Sequence, residues 1–164
     1  YVEDIIRKEE PFSEWQIRNI HQLILKNIDD DNAGRYRQQN VLISGATSTP
    51  PDYTLLNDKM VQLVDWYNSE AHKLHPIERA AKVHADFVGI HPFIDGNGRT
   101  SRLLMNLELL KAGYPPCVIT VESRLAYYEA LDQWMSYGKT DAFIHLVSDA
   151  VLEGFKPYQV VLGL

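Results

Sequence analysis

Cysteine is nearly absent. The 164 residues hold one, Cys117, so no internal disulfide can form and no cysteine-based metal cluster can be built. That fits a reducing compartment, and the cytoplasm is the expected location. Long apolar runs are missing too: nothing approaches the roughly 18 consecutive residues that would cross a bilayer. Positive charge is short, with 16 Lys and Arg against 22 Asp and Glu and a net charge of −6. General binding to nucleic acid or to an anionic membrane needs a basic surface, so both are set aside and only local basic sites remain. Three catalytic signatures are absent as well. There is no G-x-x-x-x-G-K-[ST] of the P-loop enzymes, no H-E-x-x-H of zinc hydrolases and no G-x-S-x-G of serine hydrolases.

What is there suits one globular domain. Hydrophobic residues make up 45% and charged residues 23%, ordinary for a soluble protein long enough to bury a core. The first residue is Tyr1 rather than Met, and the chain is expected to be a piece of a longer one. Residues 1–10 are charged, with Val2, Ile5 and Ile6 able to dock a short helix. Ser13 followed by Gln16 predicts a capping box that opens a helix at Glu14. Ile17, Ile20, Ile24 and Ile28 then give it one buried face, until Asp29-Asp30-Asp31 and Asn32-Ala33-Gly34 stop it. Residues 35–51 change character. Tyr36, Val41, Leu42 and Ile43 suit short strands, Ser44-Gly45 a turn and Pro50-Pro51 a stop, which predicts a β-hairpin or extended flap.

Helical spacing then resumes. One helix is expected from Asp52 to Lys73, and His75-Pro76 opens another over 77–90 with Ala80, Ala81, His84, Phe87 and Val88 inward. A third runs from Gly98 to Lys111, closed by Gly113. Two more are expected over 121–137, with Leu125, Tyr128, Leu131 and Met135 as its core face, and over 141–153. The expected fold class is all-α, a helical bundle with one inserted β-hairpin flap.

Chemistry concentrates in His91-Pro92-Phe93-Ile94-Asp95-Gly96-Asn97-Gly98-Arg99-Thr100-Ser101-Arg102. Two glycines around Asn97 permit positive φ and close backbone approach. The helix that follows presents free N–H groups and a positive dipole end, an anion site suited to phosphate. Alone, that run is more simply a loop-to-helix turn. Arg99 and Arg102 change the balance. They sit i,i+3 on the first turns, where like charge opposes the dipole and a bound anion would relieve it. They could otherwise point to water or pair with surface carboxylates. Asp95 could hold Mg²⁺ with phosphates as co-ligands, or could close an Asx-turn. His91, with an ordinary pKa near 6.5, is largely neutral at pH 7, as a general base requires.

The twelve residues match the motif H-P-F-x-[D/E]-G-N-G-R-x-x-R without departure, and the chain resembles the Fic family, named for filamentation induced by cAMP. The likeness extends to Leu103-Leu104-Met105-Asn106, to Ala112-Gly113-Tyr114-Pro115-Pro116 and to the flap region from Leu42 to Pro51. It implies one Fic domain over residues 1–164, with a core from about Phe12 to Gly154. It implies protein adenylylation, in which AMP passes from ATP to a Ser, Thr or Tyr hydroxyl of a target protein and pyrophosphate leaves. By motif position, His91 is then the general base and Asp95 the Mg²⁺ ligand. Gly96, Asn97 and Gly98 cradle the α and β phosphates, Arg99 and Arg102 hold the β and γ phosphates, and Thr100 and Ser101 fall within the same nucleotide site. The flap, about 42–49, aligns the target as an added strand, and Ile43, Ser44 and Gly45 also cover the nucleotide. Tyr127 resembles the residue near the adenosine, or else is a half-buried aromatic.

Many members carry an inhibitory [S/T]-x-x-x-E-[G/N] helix. The nearest match here, Asp149 to Gly154, has Asp where Ser or Thr belongs. Glu153 is therefore expected to be a surface residue and Gly154 a helix C-cap, with the inhibitory helix upstream of Tyr1. The resemblance also makes a homodimer an expectation. The competing functions are removal of AMP or transfer of another phosphate-linked group on the same fold, and a non-catalytic module that only binds nucleotide or protein.

Overall fold

Ser13 opens the first helix as its spacing predicts. Its backbone is extended (φ −150°, ψ 157°) and its side chain accepts the Gln16 N–H at 3.2 Å. The computed structural model describes residues 11–163, so the expected docking of Val2, Ile5 and Ile6 lies outside the described residues. Among the described residues there are six α-helices, two 3-10 turns and no strand. The helices are α1 (Glu14–Leu25), α2 (Leu56–Ser69), α3 (Pro76–Ile90), α4 (Asn97–Lys111), α5 (Arg124–Tyr137) and α6 (Asp141–Leu162). The all-α expectation holds. No described helix is long and apolar enough to cross a membrane.

Helix α3 occupies the centre and packs against α2, α4, α5 and α6. Its composition explains this. Ala80, Ala81, Val83, Ala85 and Phe87 are fully buried, and three of the five are alanines that let neighbouring backbones approach closely. On one side Phe12, Ile17, Ile20, Met60, Leu63, Phe87, Phe93 and Leu107 form a core with α1, α2 and α4. On the other, Ala81, Ala85, Met105, Leu109, Leu131, Phe143 and Val147 form a second core with α5 and α6. One buried charge pins the first of these. Glu108 on α4 accepts the Tyr67 hydroxyl at 2.7 Å and the Arg79 Nε–H at 2.9 Å, tying α2, α3 and α4 together. Both carboxylate oxygens are thus satisfied, which a buried carboxylate needs.

The expected β-hairpin is not seen. Residues 35–51 run as an irregular segment of bends and a turn with no cross-strand ladder. The backbone groups that a ladder would use go to side chains instead. Buried Arg37 donates to the carbonyls of Gln39 (2.8 Å), Pro51 (2.6 Å) and His91 (2.9 Å). Asp132 of α5 accepts the N–H groups of Thr47 at 2.7 Å and Ser48 at 3.2 Å. The tip is a turn closed by Ala46 N–H to the Ile43 carbonyl, and Leu42 is 82% exposed.

Four smaller expectations also change. Helix α1 ends at Leu25, where Asn27 takes a positive φ of 63° and its N–H bonds Asp30, so Ile28 is 66% exposed instead of core. The stretch from Asp52 to Lys73 is broken: 3-10 turns at Tyr53–Leu55 and Ala71–Lys73 flank α2. The buried face of α5 is Tyr127, Ala130, Leu131 and Trp134, while Leu125 and Tyr128 point outward. Helix α6 continues past residue 153 through Pro157, so Gly154 is not a C-cap. A Cβ at Gly154 would stand 3.1 Å from the Pro116 carbonyl, so glycine there serves close packing of α6 on the Pro115-Pro116 loop. Glu153 is on the surface as expected, paired with Lys156 at 2.6 Å.

Candidate active site

The site hangs from the end of α3. His91 caps that helix in the left-handed region (φ 50°, ψ 57°), with its N–H on the Phe87 carbonyl at 3.0 Å. A non-glycine residue there is strained and needs its surroundings to hold it. Arg37 supplies the hold: its Nε–H binds the His91 carbonyl and its backbone N–H binds the Pro92 carbonyl at 2.9 Å. The His91 Nδ1 faces the Val88 carbonyl at 3.2 Å. That contact places the ring proton on Nδ1 and leaves the lone pair on Nε2. Burial pushes the His91 pKa below its ordinary value. The Val88 hydrogen bond opposes the shift, Arg37 reinforces it and Asp95 opposes it. The ring is neutral at pH 7, with one nitrogen ready to accept a proton.

The loop from Pro92 to Gly96 is closed by its own side chains. Phe93 is fully buried and stacks on the His21 ring, with centroids 3.5 Å apart and planes within 6°. Asn97 accepts the Phe93 N–H at 3.0 Å and donates to the Phe93 carbonyl at 2.8 Å. His21 accepts the Gly34 N–H on Nδ1 at 2.9 Å, so its Nε2–H donates to the Asp95 carbonyl at 2.8 Å. Gly96 has a φ of 80°, and a Cβ there would stand 2.9 Å from His21 Nε2. Only glycine fits, on both counts.

Helix α4 begins at Asn97, and its first intrahelical bond runs from Thr100 N–H to the Gly96 carbonyl at 2.9 Å. The N–H groups of Asn97, Gly98 and Arg99 are left without helical acceptors, as at any helix start. They are open donors where the sequence expects Gly96, Asn97 and Gly98 to cradle phosphates; the Gly96 N–H itself is taken by Asp95 Oδ1 at 2.6 Å, and the Asn97 side chain is committed to Phe93. Thr100 and Ser101 are buried, with hydroxyls on the carbonyls of Gly96 (2.9 Å) and Gly98 (3.0 Å). Arg99 pairs with Asp95 at 2.9 Å, and Asp95 also accepts the Gly96 N–H. Arg102 is exposed and folds back over the first turn of α4, its Nη1 3.5 Å from where a Gly98 Cβ would be. Asp95, Arg99 and Arg102 thus gather around the first turn of α4.

Among the described residues, no group of three or more His, Cys, Asp or Glu side chains gathers as a metal site. Asp95 is nonetheless the right donor for one mode of binding. It is an accessible carboxylate beside an anion cradle, and Mg²⁺ is commonly held by one or two carboxylates together with substrate phosphates.

The flap meets the motif at its base through Arg37. It also roofs a cavity of about 610 Å³ lined by Ser48, Pro51, Trp66, Ile90, Trp134 and Met135. At its tip Ile43 is half-buried, and Ser44 and Gly45 are exposed. Tyr127 does not line that cavity; it is 5% exposed in the α5–α6 core, with its hydroxyl 2.9 Å from His84 Nε2. Sequence reasoning passed over His21, Arg37 and Asp132. A histidine among the apolar positions of α1 was the one signal for His21. Nothing local marked Arg37, whose carbonyl partners lie 2, 14 and 54 residues away.

The fold and site define a helical domain with a neutral histidine and an open helix N-terminus on one loop. The Fic/DOC family model matches residues 11–109, and the chain belongs to that family. It is 42% identical over 116 residues to "Protein adenylyltransferase fic-1" of Caenorhabditis briggsae, covering 70% of this chain and 22% of that protein. It is 42% identical over 145 residues to "Protein adenylyltransferase Fic" of Nematostella vectensis, covering 88% and 33%. In structure it resembles Fic-1 (aa134–508) from C. elegans, with a TM-score of 0.83 and 31% identity over 99% of this chain and 49% of that one. The chain thus spans 22% to 33% of the length of these two curated relatives.

Proposed function

We propose that this chain is the catalytic domain of a protein adenylyltransferase. The observation that carries the reading is the state of His91: neutral, its proton held on Nδ1 by Val88, and Nε2 free at the edge of an anion cradle. ATP seats its phosphates on the N–H groups of Asn97, Gly98 and Arg99, with Arg102 toward the terminal phosphate. A target hydroxyl gives its proton to His91 Nε2 while its oxygen attacks the α-phosphorus. The bond from that phosphorus to the bridging oxygen breaks, and pyrophosphate leaves with the electron pair. Mg²⁺, held by Asp95 together with the phosphates, would neutralise part of the phosphate charge. The base contributes about 10²–10⁴ in rate, and the cradle and arginines stabilise the developing charge.

The flap delivers the target. The flap forms no ladder of its own, and its tip, with Leu42 exposed, is where a target segment would add. The relatives named protein adenylyltransferase support the same activity here. Arg102 has no carboxylate partner among the described residues, and Glu153 is spent on Lys156. The family resemblance puts an inhibitory glutamate N-terminal to the core, and an Arg102 left open here is compatible with that. Incubation of the protein and its target with ATP labelled at the α or the γ phosphorus tests the proposal. Protein should acquire only the α label; label arriving solely from the γ position overturns adenylyl transfer.

A further inference from the structure

One residue joins the flap to the motif. Among the described residues, every hydrogen bond between residues 35–51 and residues 91–102 comes from Arg37. Its backbone N–H binds the Pro92 carbonyl at 2.9 Å, and its Nε–H binds the His91 carbonyl at 2.9 Å. The two terminal nitrogens reach the other way. Nη1 donates to the Gln39 carbonyl at 2.8 Å on the outgoing arm of the flap, and Nη2 to the Pro51 carbonyl at 2.6 Å on the returning arm. One guanidinium thus grips both arms of the flap and the backbone of His91.

The choice of side chain has a physical consequence. A guanidinium is a rigid plane with its donors at fixed angles. Three carbonyls bound to its three nitrogens are therefore fixed relative to one another, so the base of the flap and the His91 backbone keep one register. His91 depends on that grip, because its φ of 50° is a conformation that a non-glycine residue leaves unless it is held. Arg37 is only 3% exposed, and burial of its charge pushes its pKa below the ordinary arginine value, with Asp52 opposing. A flap closed for its own sake has a simpler lock three residues on. Asn40 Nδ2 donates to the Asp52 carboxylate at 2.8 Å, and Asn40 Oδ1 accepts the Tyr53 N–H at 2.9 Å. Both Asn40 and Asp52 are exposed, and that lock makes no hydrogen bond to the motif.

We propose that Arg37 is a positioning residue of the transfer reaction: it sets the distance between the target hydroxyl that the flap presents and Nε2 of His91. This rests on the assignment of His91 as the base and of the flap as the dock for the target. Arg37 touches neither nucleotide nor target, and acts through the His91 carbonyl and the two arms of the flap. Its effect falls on rate more than on affinity. A hydroxyl delivered by a loosened flap is still bound, but it seldom stands at the ~3 Å from which the base takes its proton.

The test is steady-state transfer from α-labelled ATP with the target concentration varied, on the full chain. Arg37→Lys keeps the charge and loses the rigid plane, Arg37→Gln loses both, and Asn40→Ala opens the other lock of the flap. Arg37→Lys retains a donor for the buried carbonyls, so it carries the test if Arg37→Gln fails to fold. Both Arg37 variants should lower kcat about 10- to 100-fold, with ATP affinity by calorimetry within about two-fold of wild type. Asn40→Ala should raise the KM for target and keep kcat within about two-fold. A kcat for Arg37→Lys within about two-fold of wild type overturns the proposal. An equal fall in kcat for Asn40→Ala also overturns it, because the loss is then one of flap looseness alone. Amide hydrogen exchange adds a readout that needs no activity. The Phe93 N–H should exchange about ten-fold faster in Arg37→Lys and at the wild-type rate in Asn40→Ala. Unchanged exchange in Arg37→Lys overturns the link between flap and motif. If exchange responds as expected but the wild type puts no α label on protein, the link stands and adenylyl transfer falls.

Discussion

Replacing Gly96 by alanine isolates the contact between α1 and the motif loop. The perturbation has two parts. At φ 80° an alanine sits in the left-handed region, which costs ~1–2 kcal/mol for an L residue. Its Cβ would also lie 2.9 Å from His21 Nε2 and 3.1 Å from Cδ2, so the imidazole must shift. His21 is not free to shift, because it stacks on Phe93 and holds both Gly34 N–H and the Asp95 carbonyl. Weakening two hydrogen bonds adds ~1–3 kcal/mol. The total is ~2–5 kcal/mol, a large share of an ordinary domain's stability. Urea unfolding of four proteins checks it: wild type, Gly96→Ala, His21→Ala and the double variant. Truncating His21 removes the overlap but not the backbone strain, so in that background Gly96→Ala should cost only the first ~1–2 kcal/mol. The slope with urea should stay constant throughout. An equal cost of Gly96→Ala in both backgrounds would refute the steric account. A cost below about 0.5 kcal/mol in wild type would refute both parts.

His91→Ala should abolish label transfer in a single-turnover assay and leave nucleotide affinity within about three-fold, since the ring serves as a base and not as a phosphate ligand. The His91 pKa is lowered by burial, so the acid limb of the wild-type rate profile should fall below pH 6.5, and a limb above that value contradicts the assignment. His84 gives a stability signal. Its folded pKa of about 3 lies below the unfolded value, so its contribution is complete above pH 6.5 and is lost as pH falls toward 3. Urea unfolding should show a loss of about 1.4 kcal/mol per pH unit across that window, and His84→Leu should flatten it. Asp132→Ala frees the Thr47 and Ser48 N–H groups that fix the flap. It should raise the KM for target several-fold without changing ATP affinity, and an unchanged target KM would dissociate Asp132 from docking.

The helices and the site core were legible because their signals are local. Ser13 with Gln16, Pro76 at a helix start and the 91–102 spacing each act within a few residues of chain. The flap misled for a physical reason. Val41, Leu42 and Ile43 have strand propensity, but that propensity measures fit to a half-buried pleated surface, and here the arms bond Arg37 and Asp132 instead of each other. Helix α5 offered two helically spaced apolar stripes, and only tertiary packing chose Tyr127, Ala130 and Trp134 over Leu125 and Tyr128. The role of the Asn97 side chain was not legible. Its two hydrogen bonds to the backbone of Phe93, four residues back, make it the clasp of the loop.

That clasp bears on regulation. The loop is held by Asn97, His21 and Arg37 through bonds that involve no nucleotide, so arrival of ATP has little left to order. A switch that works by folding and unfolding the catalytic loop has almost no free energy to draw on here. A regulator of a loop held this way would have to act by occupancy, competing for the start of α4 or for Arg102, instead of by reordering the loop.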